Sequence, residues 1–208
     1  MDGGVIEIPM EHVVPAGALG PEPVRLEVRA HLSPHETGLV LVDTGMDPSG
    51  RDLDAALARS GASWSDVSHV VVTHAHPDHV GALDHVRRAA PAATVLAHPL
   101  EAVAEAQSLV DGQRVGRLRA VATPGHTAGH LSLLDEAGGV LLVGDCLGSV
   151  GAVLVRAPEQ FTADARRAEQ SLHLLRTFRG TRLLFSHGAE LEDPWPSLDV
   201  LLDALPEV

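Results

Sequence analysis

The sequence predicts an α/β fold in which a mixed sheet arrangement is covered by helices. Short runs of branched apolar residues recur in both halves of the chain, and stretches with helical spacing lie between them. No change of composition, repeat or low-complexity block interrupts this pattern, so residues 1–208 read as one domain. With 45% hydrophobic and 21% charged residues, the chain can bury a core of that kind.

The elements follow in order. Val5–Ile8 and Val24–Leu32 alternate apolar with polar residues and read as strands, and Met10–Pro23, rich in Pro, Gly and Ala, reads as a loop between them. Ser33–Thr37 turns the chain back into Gly38–Val42, an apolar run that ends at Asp43-Thr44-Gly45. Arg51–Ser60 places Leu53, Ala56 and Leu57 on one helical face, with Gly61 as its stop. Val70–Thr73 is a short buried strand, His79–Ala90 a helix stopped by Pro91, Thr94–Ala97 a strand and Leu100–Leu109 a helix. Arg119–Ala122, Leu131–Asp135 and Val140–Val143 read as three strands. Thr162–Phe178 is the longest helix, Leu183–Phe185 a further strand and Ser197–Leu205 a closing helix.

Charge and composition exclude several function classes. The formal charge is -13, which argues against a nucleic-acid binder needing a broad cationic face. No apolar run approaches the roughly 20 residues of a membrane span. One cysteine makes no internal disulfide, and MDGGVIEIPMEH lacks a basic segment followed by a long apolar one. The expectation is a soluble cytoplasmic protein, monomer or homodimer, acting on a small molecule. Lys, Asn and Tyr are absent, which drift toward GC-rich codons explains; the clustering of 13 histidines it does not explain.

The strand Val70–Thr73 runs directly into His74-Ala75-His76-Pro77-Asp78-His79. Residues two apart at a strand end project to the same side, so His74 and His76 converge on one point. Pro77 stiffens the turn, and Asp78 and His79 then face a second point nearby. Imidazole and carboxylate together suit Zn²⁺, with Fe or Mn as alternatives. Ligands packed this tightly cannot all wrap one ion, so further ligands are expected from other strand ends. His126 in Thr123-Pro124-Gly125-His126-Thr127, Asp145 after Val140–Val143 and His187 after Leu183–Phe185 are the candidates. A carboxylate at the end of a buried strand is costly unless paired or bound to metal.

As a set, Asp43-Thr44-Gly45, Thr73–His79, Thr123–His130, Gly144-Asp145 and His187 resemble the metallo-β-lactamase superfamily, with a motif set like that of glyoxalase II. The resemblance implies a four-layer αβ/βα sandwich of two mixed β-sheets flanked by helices, with two divalent metal ions at one sheet edge. By position, His74, His76 and His126 would hold the first metal, and Asp78, His79 and His187 the second. Asp145 would bridge both. It further implies hydrolysis by a hydroxide shared between the ions, with Asp78 orienting that nucleophile as a second catalytic carboxylate beside Asp145. Asp43 is expected to fix the metal-bearing loops through hydrogen bonds. His130 is expected to pack or hydrogen-bond near the site rather than bind metal.

Fold alone does not set the substrate. The sequence holds no Lys or Asn of the kind common in metallo-β-lactamases and no Tyr of the kind typical of quorum-quenching lactonases. Ala189–Val208 is acidic and without Arg, unlike the cationic helical domain of glyoxalase II, and the net charge disfavours the basic arms of the nucleases. The expected reaction is therefore hydrolysis of a small ester, thioester or lactone. The alternative is a persulfide dioxygenase of the same fold with a single Fe(II). β-Lactamase, phosphodiesterase and non-catalytic metal-binding readings rank below both. Met10–Pro23 and Leu147–Glu159 are expected to wall the substrate site, with His12 facing substrate and Arg156 receiving a substrate carboxylate. Strand alternation after Asp145 points Cys146 away from the metals.

Overall fold

The computed structural model describes residues 4–17 and 21–204. Six strands form the first sheet: β1 (Ile6–Val14), β2 (Val24–His35), β3 (Gly38–Val42), β4 (Val67–Val72), β5 (Thr94–Ala97) and β6 (Gln107–Ser108). They lie in that spatial order, antiparallel from β1 to β3 and parallel from β3 to β6. The chain continues through β7 (Arg114–Val115), β8 (Leu118–Ala122), β9 (Leu131–Asp135) and β10 (Val140–Leu142). A separate hairpin, β11 (Leu147–Val150) with β12 (Val153–Arg156), comes next, followed by β13 (Arg182–Leu184). The second sheet runs β13-β10-β9-β8-β7, with only β10 and β13 parallel. The helices are α1 (Arg51–Arg59), α2 (Pro77–Val80), α3 (Leu83–Ala89), α4 (Ala165–Leu175) and α5 (Trp195–Asp203).

Strand periodicity builds four layers from these pieces. Val40, Val42 and Val71 turn inward to meet Leu118, Leu131, Leu133, Val140 and Leu142 of the other sheet. Their neighbours Leu39, Leu41, Val70 and Val72 point outward, against Leu53 and Leu57 of α1 and Leu83 and Val86 of α3. Leu134, Leu141 and Leu183 likewise point outward, under Leu172 and Leu175 of α4 and Leu198 and Leu202 of α5. Burial on both faces is why the central strands read as continuous apolar runs. The arrangement is the αβ/βα sandwich that the resemblance implied.

Several expectations change. Met10 does not open a loop: β1 continues to Val14, with Ile8, Met10 and Val14 buried. Pro9 is accommodated because β1 is an edge strand and its missing N–H removes no ladder bond. β2 runs on through Pro34 to His35, beyond the point where β1 pairs with it. The expected helix over 79–90 is two helices, broken at Gly81-Ala82. A Cβ on Gly81 would lie 2.4 Å from the Met46 carbonyl oxygen, so the turn after β3 packs directly on that backbone. Leu100–Leu109 is not helical. A single 3-10 turn (Pro99–Glu101) ends at Ala102 in the left-handed region, and the chain then joins the sheet as β6. The expected helix over 162–178 is shorter, because Asp164 caps α4 by accepting the Arg167 N–H at 2.9 Å. Among the described residues, no helix is long and apolar enough to cross a membrane. The end of the expected closing helix, at residue 205, lies outside the described residues.

Candidate metal centre

The candidate ligands leave the C-terminal ends of strands in both sheets. His74, His76, Asp78 and His79 follow β4, His126 follows β8, Asp145 follows β10 and His187 follows β13. Paired, buried strands hold these loop starts rigidly, which lets residues distant in sequence meet to within an ångström or so.

They meet as two groups. One ligand atom from each of His74, His76, His126 and Asp145 lies within 4.8 Å of the others, and the same holds for Asp78, His79, Asp145 and His187. Asp145 belongs to both groups. Its Oδ2 stands 3.4 Å from His126 Nε2, 3.4 Å from His187 Nε2 and 3.8 Å from His74 Nε2, and its Oδ1 is 3.2 Å from His79 Nε2. His76 presents Nδ1, 3.1 Å from His74 Nε2 and 2.9 Å from His126 Nε2. Asp78 Oδ2 lies 3.2 Å from His187 Nε2.

Hydrogen bonds behind the rings set which nitrogen faces the centre. Asp43 Oδ2 accepts from His79 Nδ1 at 2.9 Å and from the Thr73 hydroxyl at 2.8 Å, while Oδ1 accepts the Thr73 N–H at 2.8 Å. The Thr73 oxygen in turn accepts from His74 Nδ1 at 3.1 Å. His187 Nδ1 donates to the Glu27 carbonyl at 2.9 Å. In this network His74, His79 and His187 each turn Nε2 inward, the nitrogen that a metal would take in place of a proton. His130 accepts the Asp145 N–H at Nε2 (3.0 Å), and its Nδ1 is 2.9 Å from the Thr123 hydroxyl. It therefore stands behind Asp145, outside both groups.

The electrostatics are those of a buried charged cluster. Burial favours a neutral carboxyl on Asp145, but His79 and His187 outweigh it and hold the pKa well below the usual range. Burial opposes charge on His187 too, yet Asp145 and Asp78 push it up to about 10. His79 is raised well above its ordinary value by Asp145 and Asp43, against burial. Burial lowers His126 to about 4 and His130 to about 3. His79 Nε2 and Asp145 Oδ1 are buried facing each other at 3.2 Å and have no other hydrogen-bond partner. Imidazole nitrogens and carboxylate oxygens held inward and facing one another fit Zn²⁺, Fe or Mn.

Two supports had escaped the sequence. Glu101, buried after the Pro99 turn, accepts the Ala75 N–H at 2.8 Å, the Gly129 N–H at 2.8 Å and the Thr127 hydroxyl at 2.7 Å. One carboxylate thus ties the His74–His76 loop to the His126 loop. On the opposite side, the Arg29 N–H donates to the Ser186 carbonyl at 2.8 Å and its guanidinium to the Gly188 carbonyl, fixing the His187 turn. No spacing rule points to a lone Glu or Arg; the buried polar contact appears only once the chain is folded.

The expected substrate residues fare differently. His12 sits within β1 opposite Leu26 rather than on a free loop. Residues 147–156 form the β11–β12 hairpin, a strand pair too short to stand out in the sequence. Arg156 lines a cavity of about 250 Å³ together with His126, Asp145 and Cys146. Its guanidinium is already engaged by Glu169, with both contacts at 3.2 Å. Cys146 belongs to neither donor group, its Sγ lying 3.7 Å from the Thr123 carbonyl and 3.6 Å from His130 Nδ1, and it borders this cavity. Burial pushes its thiol up to about 12, so it stays a neutral small group. A larger cavity, about 360 Å³, lies between α3 and β5, away from the histidines.

A family model described as the metallo-beta-lactamase superfamily matches residues 28–113 and 107–187. YobT of Bacillus subtilis (strain 168) is 27% identical over 207 residues, covering 83% of this chain and 88% of its own length. A hydroxyacylglutathione hydrolase of Alkalilimnicola ehrlichii is 29% identical over 171 residues, covering 72% of this chain. The match spans 62% of that hydrolase, less than two thirds of its length. Among solved structures, TTHA1623 in a di-iron-bound form superimposes with a TM-score of 0.67 at 26% identity, over 86% of this chain and 93% of that one.

Proposed function

Because this chain belongs to the metallo-β-lactamase superfamily, we propose that it is a metal-dependent hydrolase of a small ester, thioester or lactone. The observation that carries the reading is the pair of four-residue donor groups sharing Asp145. His74, His76, His126 and Asp145 would hold one divalent ion, and Asp78, His79, His187 and Asp145 a second. Zinc is the metal proposed; the likeness to a di-iron form keeps iron in the test. When bound, such ions lower the pKa of water toward neutrality and polarise a carbonyl oxygen.

The chain's own residues do the rest. Asp78, with a side chain 17% exposed beside the more exposed His187, would accept a hydrogen bond from the attacking water and orient it. The carbonyl carbon gains the water oxygen, the bond to the leaving oxygen or sulfur breaks, and the water proton passes to the leaving group. Asp43 and Glu101 hold the ligand-bearing loops still, so the donors need not reorganise. A relative named hydroxyacylglutathione hydrolase supports the acyl-transfer side of this reading. The partner proposed is a small molecule, not a nucleic acid or membrane, and the formal charge of -13 supports that.

The test is metal analysis of the purified protein coupled to lactone, thioester, phosphodiester, β-lactam and persulfide substrates. Close to two transition-metal equivalents with turnover of an ester, thioester or lactone is the expected result. One equivalent of iron with oxygen uptake on a persulfide would replace it with the dioxygenase.

A further inference from the structure

The cavity beside His126 and Asp145 has a built wall. From α4, Ala165, Ala168, Glu169 and Leu172 line it, spaced i, i+3, i+4 and i+7 on one helical face. That face is locked to the ligand loop. The Asp164 N–H donates to the Gly125 carbonyl at 2.9 Å, the Ala163 N–H to the His126 carbonyl at 3.0 Å and the Ser171 hydroxyl to the Pro124 carbonyl at 2.7 Å. A Cβ on Gly125, whose φ is +137°, would stand 2.0 Å from the Ala168 nitrogen, so helix and loop touch backbone to backbone. Across the cavity, Arg156 and Ala157 end the hairpin, and Glu159 stands at the rim.

The charges here decide what fits. Arg156 Nε and Nη2 are each 3.2 Å from one oxygen of Glu169, and Nη2 also donates to the Leu201 carbonyl at 2.5 Å. The guanidinium is thus neutralised and tied to α4 and α5 at once. Beyond Asp145, the lining holds two carboxylates, Glu159 and Glu169, against this one engaged cation. An anionic tail would meet repulsion and no free cation; an aliphatic tail would meet alanines and Leu172. A space of about 250 Å³ holds roughly eight atoms of water size.

We propose that this cavity is the acyl pocket, and that the Arg156–Glu169 pair makes it accept short uncharged acyl chains and reject chains ending in a carboxylate. The proposal rests on the hydrolase reading above for its chemistry, but not for its binding. It reverses the expectation that Arg156 receives a substrate carboxylate.

The experiment compares hexanoyl and adipoyl thioesters of N-acetylcysteamine, which share a six-carbon chain and differ in the terminal carboxylate. The wild-type protein should favour hexanoyl in kcat/KM by about tenfold or more. In Glu169→Gln the freed guanidinium can meet the adipoyl carboxylate, and the preference should fall by about tenfold with metal content unchanged. Separately, hexanamide should perturb the methyl NMR signals of Ala168 and Leu172. A preference that Glu169→Gln leaves unmoved, or hexanamide leaving those methyls untouched, overturns the pocket. Hexanamide binding without turnover of any thioester would keep the pocket and sink the hydrolase reading instead.

Discussion

Asp43 has φ at +59°, a conformation that a residue with a Cβ adopts at a cost of about 1 kcal/mol or more. It is held there by the three hydrogen bonds its buried carboxylate accepts from Thr73 and His79. That carboxylate orients His79 directly and His74 through the Thr73 hydroxyl, so it reaches one imidazole of each donor group. Asp43→Asn offers one oxygen where two are used, and its amide cannot accept from His79 Nδ1. We expect metal affinity to fall by about 10- to 100-fold, read by competition with a chromophoric chelator. Unchanged affinity in a folded Asp43→Asn protein would show that the network does not tune the ligands.

At the scale of elements, side chains add cross-ties between the strand-end loops that the sheets already position. Glu101 illustrates this, with two backbone N–H groups and a hydroxyl converging on its two oxygens. Glu101→Ala leaves those donors facing a buried void, at about 1–3 kcal/mol for each one left unsatisfied. The expected outcome is a lower Tm and weaker retention of metal, measured by thermal unfolding with and without added zinc. A Tm within a degree of wild type would refute the clamp. Here sequence reading met its limit. Gly38–Val42, Thr94–Ala97 and Leu131–Asp135 were legible to the residue because each is a short apolar run closed by turn residues. Leu100–Leu109 misled, since its alanine-rich composition favours a helix that the inward pull of Glu101 and the edge of β5 override. The donor residues were legible because imidazoles cluster at strand ends; Glu101 and Arg29 were not, because one acidic or basic residue carries no spacing.

For the whole molecule, the two sheets share an apolar layer, and the donor groups sit where strand ends of both sheets meet. Bound ions would therefore link the two halves of the sandwich as well as supply chemistry. Ligand that binds only the folded chain stabilises it by about 2.7 kcal/mol at a hundred times its dissociation constant. Removing metal with a chelator should lower Tm by several degrees and abolish turnover together, with zinc restoring both. Loss of turnover at constant Tm would mean that the ions do not bridge the halves. The most direct measurement is anomalous diffraction from crystals grown with zinc, iron or manganese. Two peaks per chain are predicted, one inside His74, His76, His126 and Asp145 and one inside Asp78, His79, His187 and Asp145. A single peak, or density outside these residues, would contradict the shared-carboxylate centre.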